Sequence, residues 1–205
     1  MSLIRHSHVS LSMFSVLMLL APVQTLPGQT SGDSKFALRA ALVLTPEFCS
    51  TEIKQGDKVW TGVEKFEVGP AACAELEPAL QAVFHQLNRV AASPASDTAD
   101  VVILPRVVSA SATRRKGITI FNRPEKDLLV ALELTIKDPA GNTVWLQTVE
   151  GTGTAKGRPN GTLSKKDMKI LVDAAVADAV KQVAEKVSSA PELRKFAEHV
   201  TPPKR

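Results

Sequence analysis

Two cysteines, Cys49 and Cys73, have the most specific chemistry of any residues in this chain. An isolated cysteine pair in an exported protein usually forms a disulfide, so a disulfide is the first expectation. A second interpretation is a reactive thiol at Cys73, because this residue lies near a predicted helix start, where the helix dipole would lower the thiol pKa. A third is that both cysteines are small buried hydrophobic residues. Neither has an adjacent ligand at a spacing that zinc requires, so no metal site is expected.

Few other side chains could act as a general acid, a general base or a nucleophile. Two of the four histidines lie in the N-terminal segment described below, and His199 is close to the C-terminus. His85 is placed on a predicted helix, where an exposed side chain is more common than a base; a hydrolase would need a carboxylate beside it in a pocket. Glu75 and Glu77 are two positions apart on that helix and so point to different sides. We therefore expect no catalytic residues, no cofactor and no enzymatic activity.

The segment RRKGITIFNR combines cations with apolar side chains in a way that suits a contact surface. Such a segment can dock on an anionic membrane surface, a glycan or a protein partner. The alternative is a hairpin extension whose apolar side packs on the core. The candidate partner-binding residues in this segment are Arg114, Arg115, Lys116, Ile118, Phe121 and Arg123.

The N-terminal segment has the layout of a secretory signal peptide. Arg5 precedes an apolar block at residues 13–21 that is too short to span a bilayer. The alternative is a buried strand or helix of the fold. We expect a signal peptide at residues 1–26 and a flexible lead-in at residues 27–34. No cysteine lies near the cleavage region, so a lipid anchor there is excluded and a periplasmic or secreted location is expected.

Charge and length restrict the class of protein further. The expected signal peptide carries one of the 25 basic residues and none of the 21 acidic ones, so the remaining chain is close to neutral. Such a balance argues against nucleic acid as the main partner. The length of 205 residues suits one globular domain with short additions.

Hydrophobic periodicity predicts six main elements. Alternating apolar residues indicate strands at 36–44, 101–113, 128–138 and 143–155, and Gly151 and Gly153 suggest that the last strand bends or frays. A helix is predicted from about residue 69 to residue 90, and a second helix follows a capping sequence at Ser164 and runs to Val187. The apolar stripe of the first helix consists of Cys73, Leu76, Leu80, Val83, Phe84, Leu87 and Val90.

This order, β-α-β-β-β-α, predicts an α/β (α+β) domain at residues 35–188. It would have a single mixed sheet of about four strands with two helices packed on one face. The first two strands, if adjacent, are parallel and joined by a right-handed crossover. Pro105 cannot donate a ladder hydrogen bond, which indicates an unpaired side of the second strand. Residues 189–205 form a tail with a short amphipathic helix.

The stretch IKDPAGNTVW, residues 136–145, connects two of these strands. It could be a functional site or only a turn. Its Asp, Pro, Gly and Asn residues each have a role in a turn, so none is left for chemistry. Trp145 is ambiguous: pairing Ile136 with Val144 puts the indole on the outer face, whereas pairing Ile136 with Trp145 buries it. An outward Trp145 would be a partner-binding candidate.

With its element order, its N-terminal segment and the sequence LLVALELTIKDPAGNTVW, the chain resembles small α/β domains of bacterial cell-envelope proteins. These are the YajG-type lipoproteins and the relatives of the TolB amino-terminal and curli-secretion domains. The similarity covers roughly residues 35–188 and rests on element order and a hairpin of the form strand, D-x-x-G, strand with Trp. It implies a non-catalytic accessory or assembly role, with an envelope protein or polymer as partner. The chain lacks the anchoring cysteine of the lipoprotein members, which favours a soluble periplasmic form.

The expected function is therefore that of an exported, non-catalytic envelope protein that binds a protein partner or an envelope polymer. Peripheral contact with a membrane surface through the basic segment is compatible with this function. The alternative is a thiol redox protein that uses Cys73.

Overall fold

The computed structural model describes residues 35–56, 63–92, 98–115, 125–156 and 163–200. The expected signal peptide and flexible lead-in lie outside the described residues, as do Lys116, Ile118, Phe121 and Arg123. Within the described ranges, no helix is both long enough and apolar enough to cross a membrane.

The described chain contains a five-stranded sheet, a two-stranded sheet and four helices. In chain order they are β1 (Phe36–Val43), α1 (Pro46–Cys49), β2 (Ile53–Gly56), β3 (Val63–Phe66), α2 (Val68–Gln81), β4 (Phe84–Val90), β5 (Val101–Arg115), β6 (Glu125–Lys137), β7 (Thr143–Lys156), α3 (Lys165–Ser188) and α4 (Pro191–Val200). The large sheet has the strand order β4-β1-β5-β6-β7, and β2 and β3 form the small one. The mixed α/β class is confirmed, but the main sheet has five strands and not four.

The additional strand, β4, replaces the second half of the helix that the sequence predicted. Helix α2 ends at Gln81, and β4 pairs in parallel with β1, with Phe84 beside Phe36 and Val90 beside Val43. The predicted apolar stripe extended past Gln81 because Phe84, Leu87 and Val90 also follow at helical spacing. Pairing with β1 satisfies the backbone of this segment, so a nonlocal contact decides its structure over local periodicity.

Strand β1 is also parallel to β5, as expected for adjacent strands on either side of a crossover. This pairing joins Ala40 to Val101 and ends with Leu42 beside Ile103. From Leu104 onwards, β5 pairs with β6 alone, and the three strands β5, β6 and β7 form an antiparallel meander. Pro105, which has no N–H to donate, lies just beyond the end of the β1 pairing, where an unpaired side was predicted.

One face of the sheet carries the core, and the helices pack on that face. Strand β6 shows the pattern, because its buried residues Leu128, Val130, Leu132, Leu134 and Ile136 alternate with more exposed ones. Helix α3 packs against β6 and β7, and α2 packs against α3 and β4. Helices α2 and α3 therefore contact each other as well as the strands that they cover.

The two glycines of β7 have a different role from the one predicted. The strand does not fray at this point, since it continues to Lys156 in register with β6. A Cβ atom at Gly151 would lie 2.1 Å from the carbonyl oxygen of Ala175, and one at Gly153 would lie 2.3 Å from that of Leu171. The glycines therefore let the backbone of α3 approach the backbone of β7 directly.

Helix α3 begins as the capping sequence predicted. The Ser164 hydroxyl accepts a hydrogen bond from the Asp167 backbone N–H at 3.1 Å, and the Asp167 carboxylate accepts one from the Ser164 N–H at 3.3 Å. This reciprocal pair satisfies two backbone donors at the start of the helix. The amphipathic piece after Pro191 is helix α4, which buries Leu193 against the core.

Candidate functional site

Trp145 points into the core, and the register of the β6–β7 hairpin decides this. Ile136 pairs with Trp145, and Lys137 pairs with Thr143, so Val144 is an extra residue in a β-bulge. The Trp145 side chain is only 9% exposed. Its assignment as a partner-binding residue, which required an outward indole, is therefore corrected.

The stretch between these strands is a turn whose polar groups bond to one another. The Asp138 carboxylate accepts hydrogen bonds from the Asn142 backbone N–H at 2.8 Å and from the Asn142 side-chain amide at 2.9 Å. The side-chain bond from Asn142 is the main cause that holds the pKa of Asp138 below its ordinary value. Gly141 adopts a φ of 89°, which favours glycine. The Asp138 carboxylate, the charged group of this turn, is therefore bonded within the turn itself.

The two cysteines form a disulfide between α1 and α2, with 5.6 Å between their Cα atoms. Cys73 is 7% exposed and is the sixth residue of α2, which begins at Val68. The dipole effect acts within the first helical turn, so the predicted lowering of a Cys73 thiol pKa by the helix start has no geometric basis. The described residues include no free cysteine.

Both histidines of the described chain, His85 and His199, are exposed. His85 is exposed on β4 and not on a helix. His199 is exposed on α4, with its Nδ1 atom 2.6 Å from the Lys195 carbonyl oxygen. Among the described residues, no three side chains of the metal-ligating types come together.

The remaining candidates, Arg114 and Arg115, occupy the last two positions of β5. Arg114 is paired with Lys126 and Arg115 with Glu125, and Glu125 is paired in turn with Lys156 at the end of β7. Three adjacent strands therefore end together, and each contributes a cation near this end. We call this part of the sheet the basic end, defined by Arg114, Arg115, Lys126 and Lys156.

The β2–β3 hairpin supports the basic end from one side. The Gln55 side chain accepts a hydrogen bond from the Ala112 N–H at 2.6 Å and donates one to the Ala112 carbonyl oxygen at 3.0 Å. It thereby takes the place of a neighbouring strand at one residue of β5. On β6, Lys126 forms an ion pair with Glu64 of β3. Lys126 is only 12% exposed in this pair, whereas Lys156 is exposed at the surface.

Sequence reasoning found the arginines of this site but missed their neighbours. Lys126 and Lys156 are far from Arg114 in the sequence and come close through strand pairing. The turn at residues 138–142 fixes the register of β6 and β7 only together with the bulge at Val144, and it is the bulge that pairs Lys156 with Glu125. Gln55 and Glu64 lie on β2 and β3, two short strands that the hydrophobic periodicity did not predict.

Comparisons with known proteins give structural similarity without a family. No family model matches the sequence, and no curated protein matches it. A minor lipoprotein from Acinetobacter baumannii is similar in structure, with a TM-score of 0.45 and 16% identity over 74% of this chain and 90% of that one. An uncharacterized lipoprotein B from Nitrosomonas europaea has a TM-score of 0.45 and 15% identity over 88% of this chain and 98% of that one. At these scores and identities, the similarities do not assign the chain to a family or to a function.

Proposed function

We propose that this chain is an exported, non-catalytic protein of the cell envelope that binds an anionic partner through its basic end. The partner would be an acidic protein surface or an anionic envelope polymer. The observation that carries the proposal is the register that brings Arg115, Glu125 and Lys156 into one row across the same end of β5, β6 and β7. The sequence between β5 and β6 contains two more cations, Lys116 and Arg123, outside the described residues.

The basic end is supported by the rest of the fold, which favours a binding role. Its strands are continuous with a core in which Leu128 and Val130 are buried. The Gln55 bonds to Ala112 and the Lys126–Glu64 ion pair hold the β2–β3 hairpin against it. A surface that is fixed before binding loses less conformational entropy when a partner arrives.

Removal of the last two cations of β5 and of the next residue in the sequence, Lys116, tests the proposal. The variant Arg114→Ser, Arg115→Ser, Lys116→Ser should lose association with an isolated envelope fraction by about tenfold or more, equivalent to about 1.4 kcal/mol. A matched control replaces three exposed cations elsewhere, Arg106, Lys181 and Lys195, by serine and so removes the same charge. Co-sedimentation of the purified exported protein with the envelope fraction measures the difference.

Salt provides a second criterion in the same experiment. Contacts between exposed charges weaken as the Debye length shortens from about 10 Å at 0.1 M salt to about 3 Å at 1 M. The wild-type association should decline over this range, and the variant should show little further decline. Equal association of the wild type, the variant and the control at low salt would refute the basic end as the binding surface.

A further inference from the structure

The edges of the main sheet differ in how they are protected against pairing with another strand. An unprotected edge exposes backbone N–H and C=O groups that can pair with another chain, and proteins usually block it with charges, prolines or bulges. Strand β4 exposes polar and charged side chains along its length, including His85 and Arg89. The edge of β5 contains Pro105, a β-bulge at Val108 and the Gln55 side chain at Ala112.

The edge of β7 is protected only in its second half. There, α3 supplies two side chains: Gln182 donates to the Glu150 carbonyl oxygen at 2.8 Å, and Asp178 accepts from the Thr152 N–H at 2.9 Å. These bonds also show which residues of β7 direct their backbone groups away from β6. By alternation along the strand, Thr148 and Leu146 direct theirs the same way.

The segment from Trp145 to Val149 lies between the bulge at Val144 and the first of these caps. Its five residues carry no charge. Within the described part of the chain, no group outside β6 hydrogen-bonds to the backbone of Leu146 or Thr148. Leu146 is 54% exposed, more than any other large hydrophobic side chain in the described ranges. We call this segment the open edge.

We propose that the open edge pairs with the open edge of a second copy of this chain, in an antiparallel dimer with its twofold axis at Gln147. In this register, Leu146 of each copy lies opposite Thr148 of the other copy. Both pairs are of the hydrogen-bonded kind, so the four exposed N–H groups and four exposed C=O groups are all satisfied. The two Leu146 side chains become diagonal neighbours on the outer face of the joined sheet.

A second copy suits this edge because the pairing is self-complementary in length and in charge. The bulge at Val144 limits the segment on one side and the Gln182 cap at Glu150 limits it on the other. The twofold arrangement about Gln147 uses every residue between these limits and none beyond them. No charge of either copy lies within the paired segment, so neither copy loses hydration of an ion on pairing.

A charge at the open edge tests the dimer. Leu146→Lys should convert the chain from a dimer to a monomer, with an apparent dissociation constant raised by about tenfold or more. Leu129→Lys is the matched control, because Leu129 is also exposed on the outer face, at 37%, but lies on the interior strand β6. Analytical ultracentrifugation of the purified exported protein, over a concentration series, gives the association state of each variant.

A cysteine at the twofold axis tests the register. In the proposed dimer, the two Gln147 residues form a non-hydrogen-bonded pair with Cα atoms about 4.5 Å apart, within the range of about 4.4–6.8 Å that a disulfide spans. Gln147→Cys should therefore oxidise to a covalent dimer, whereas Leu129→Cys should not. A monomeric wild type, together with a Gln147→Cys variant that forms no covalent dimer, would overturn the proposal. The same result with another protein or a segment of the same chain on the open edge would also overturn it.

Discussion

At the scale of single residues, the contact between Arg39 and Asp100 fixes the start of β5 against β1. The Asp100 carboxylate accepts from the Arg39 guanidinium at 2.7 Å and from the Arg39 backbone N–H at 2.8 Å. The Asp100 N–H in turn donates to the Arg39 carbonyl oxygen at 2.8 Å. Backbone and side chain therefore act together immediately before the short stretch in which β1 and β5 pair.

This contact makes stability depend on pH in acid. The side-chain hydrogen bonds from Arg39 hold the pKa of Asp100 below its ordinary value of 3.8. A carboxyl group with a lowered pKa in the folded state stabilises the fold above its unfolded pKa and loses this effect as the pH falls through the folded pKa. Asp100→Asn should therefore lower the free energy of unfolding at neutral pH by about 1 kcal/mol or less, and the difference from wild type should vanish below the folded pKa.

Urea denaturation of both proteins at neutral pH and at pH values below 3.8 measures this dependence. Asp173→Asn is a suitable control, because Asp173 pairs with Lys169 on the exposed side of α3. An Asp100→Asn protein as stable as wild type at neutral pH would show that the contact contributes nothing.

The face of the sheet on which Trp145 lies depends on a single residue, Val144, and the hydrophobic pattern does not show its effect. The apolar residues on either side of the turn are compatible with two registers that differ by one position. The bulge at Val144 selects the register that buries the indole. Bulges depend on local backbone geometry and leave no clear signal in the hydrophobic pattern, so the sequence predicted both strands and the turn but not the face on which Trp145 lies.

At the scale of elements, the close packing of α3 on β7 depends on Gly151. A Cβ atom there would lie 2.1 Å from the Ala175 carbonyl oxygen and 2.3 Å from the Ala179 backbone nitrogen. Both are backbone atoms and cannot rotate away, so the helix would have to shift. Gly151→Ala should lower the free energy of unfolding by about 1–3 kcal/mol, the usual cost of overpacking. The midpoint of urea denaturation measures the change.

The neighbouring position provides the control for this substitution. Glu150 is exposed, and its backbone oxygen, which binds Gln182, is retained in Glu150→Ala. That variant should change stability by less than about 0.5 kcal/mol. If Gly151→Ala were no more destabilising than Glu150→Ala, the strand and helix would not be in the close contact described above.

Elements with strong local patterns were predictable, and elements that depend on nonlocal pairing were not. The alternation in β1, β6 and β7 and the capping sequence of α3 each identified their element. Strand β4 has only Phe84 fully buried, so its pattern carried little information against a continuing helix. The strands β2 and β3 have four residues each, too few for any periodicity to be visible.

At the scale of the whole molecule, the Cys49–Cys73 disulfide connects the core to the part of the fold that supports the basic end. The loop that it closes contains the β2–β3 hairpin. That hairpin provides Gln55 to Ala112 and Glu64 to Lys126. The disulfide therefore restricts the segment whose contacts hold the candidate site, in addition to joining α1 to α2.

Removal of both cysteines should lower the free energy of unfolding, because the unfolded chain without the cross-link has more conformational entropy. Closing a loop with a sequence separation of 24 residues reduces the entropy of the unfolded chain, which corresponds to a stabilisation of about 3 kcal/mol. Cys49→Ala, Cys73→Ala should lower the free energy of unfolding by about this amount in urea denaturation. Wild-type protein unfolded in the presence of a reductant should show nearly the same loss, since it also lacks the cross-link. Equal unfolding midpoints for the oxidised wild type and the double variant would contradict a stabilising role for this disulfide.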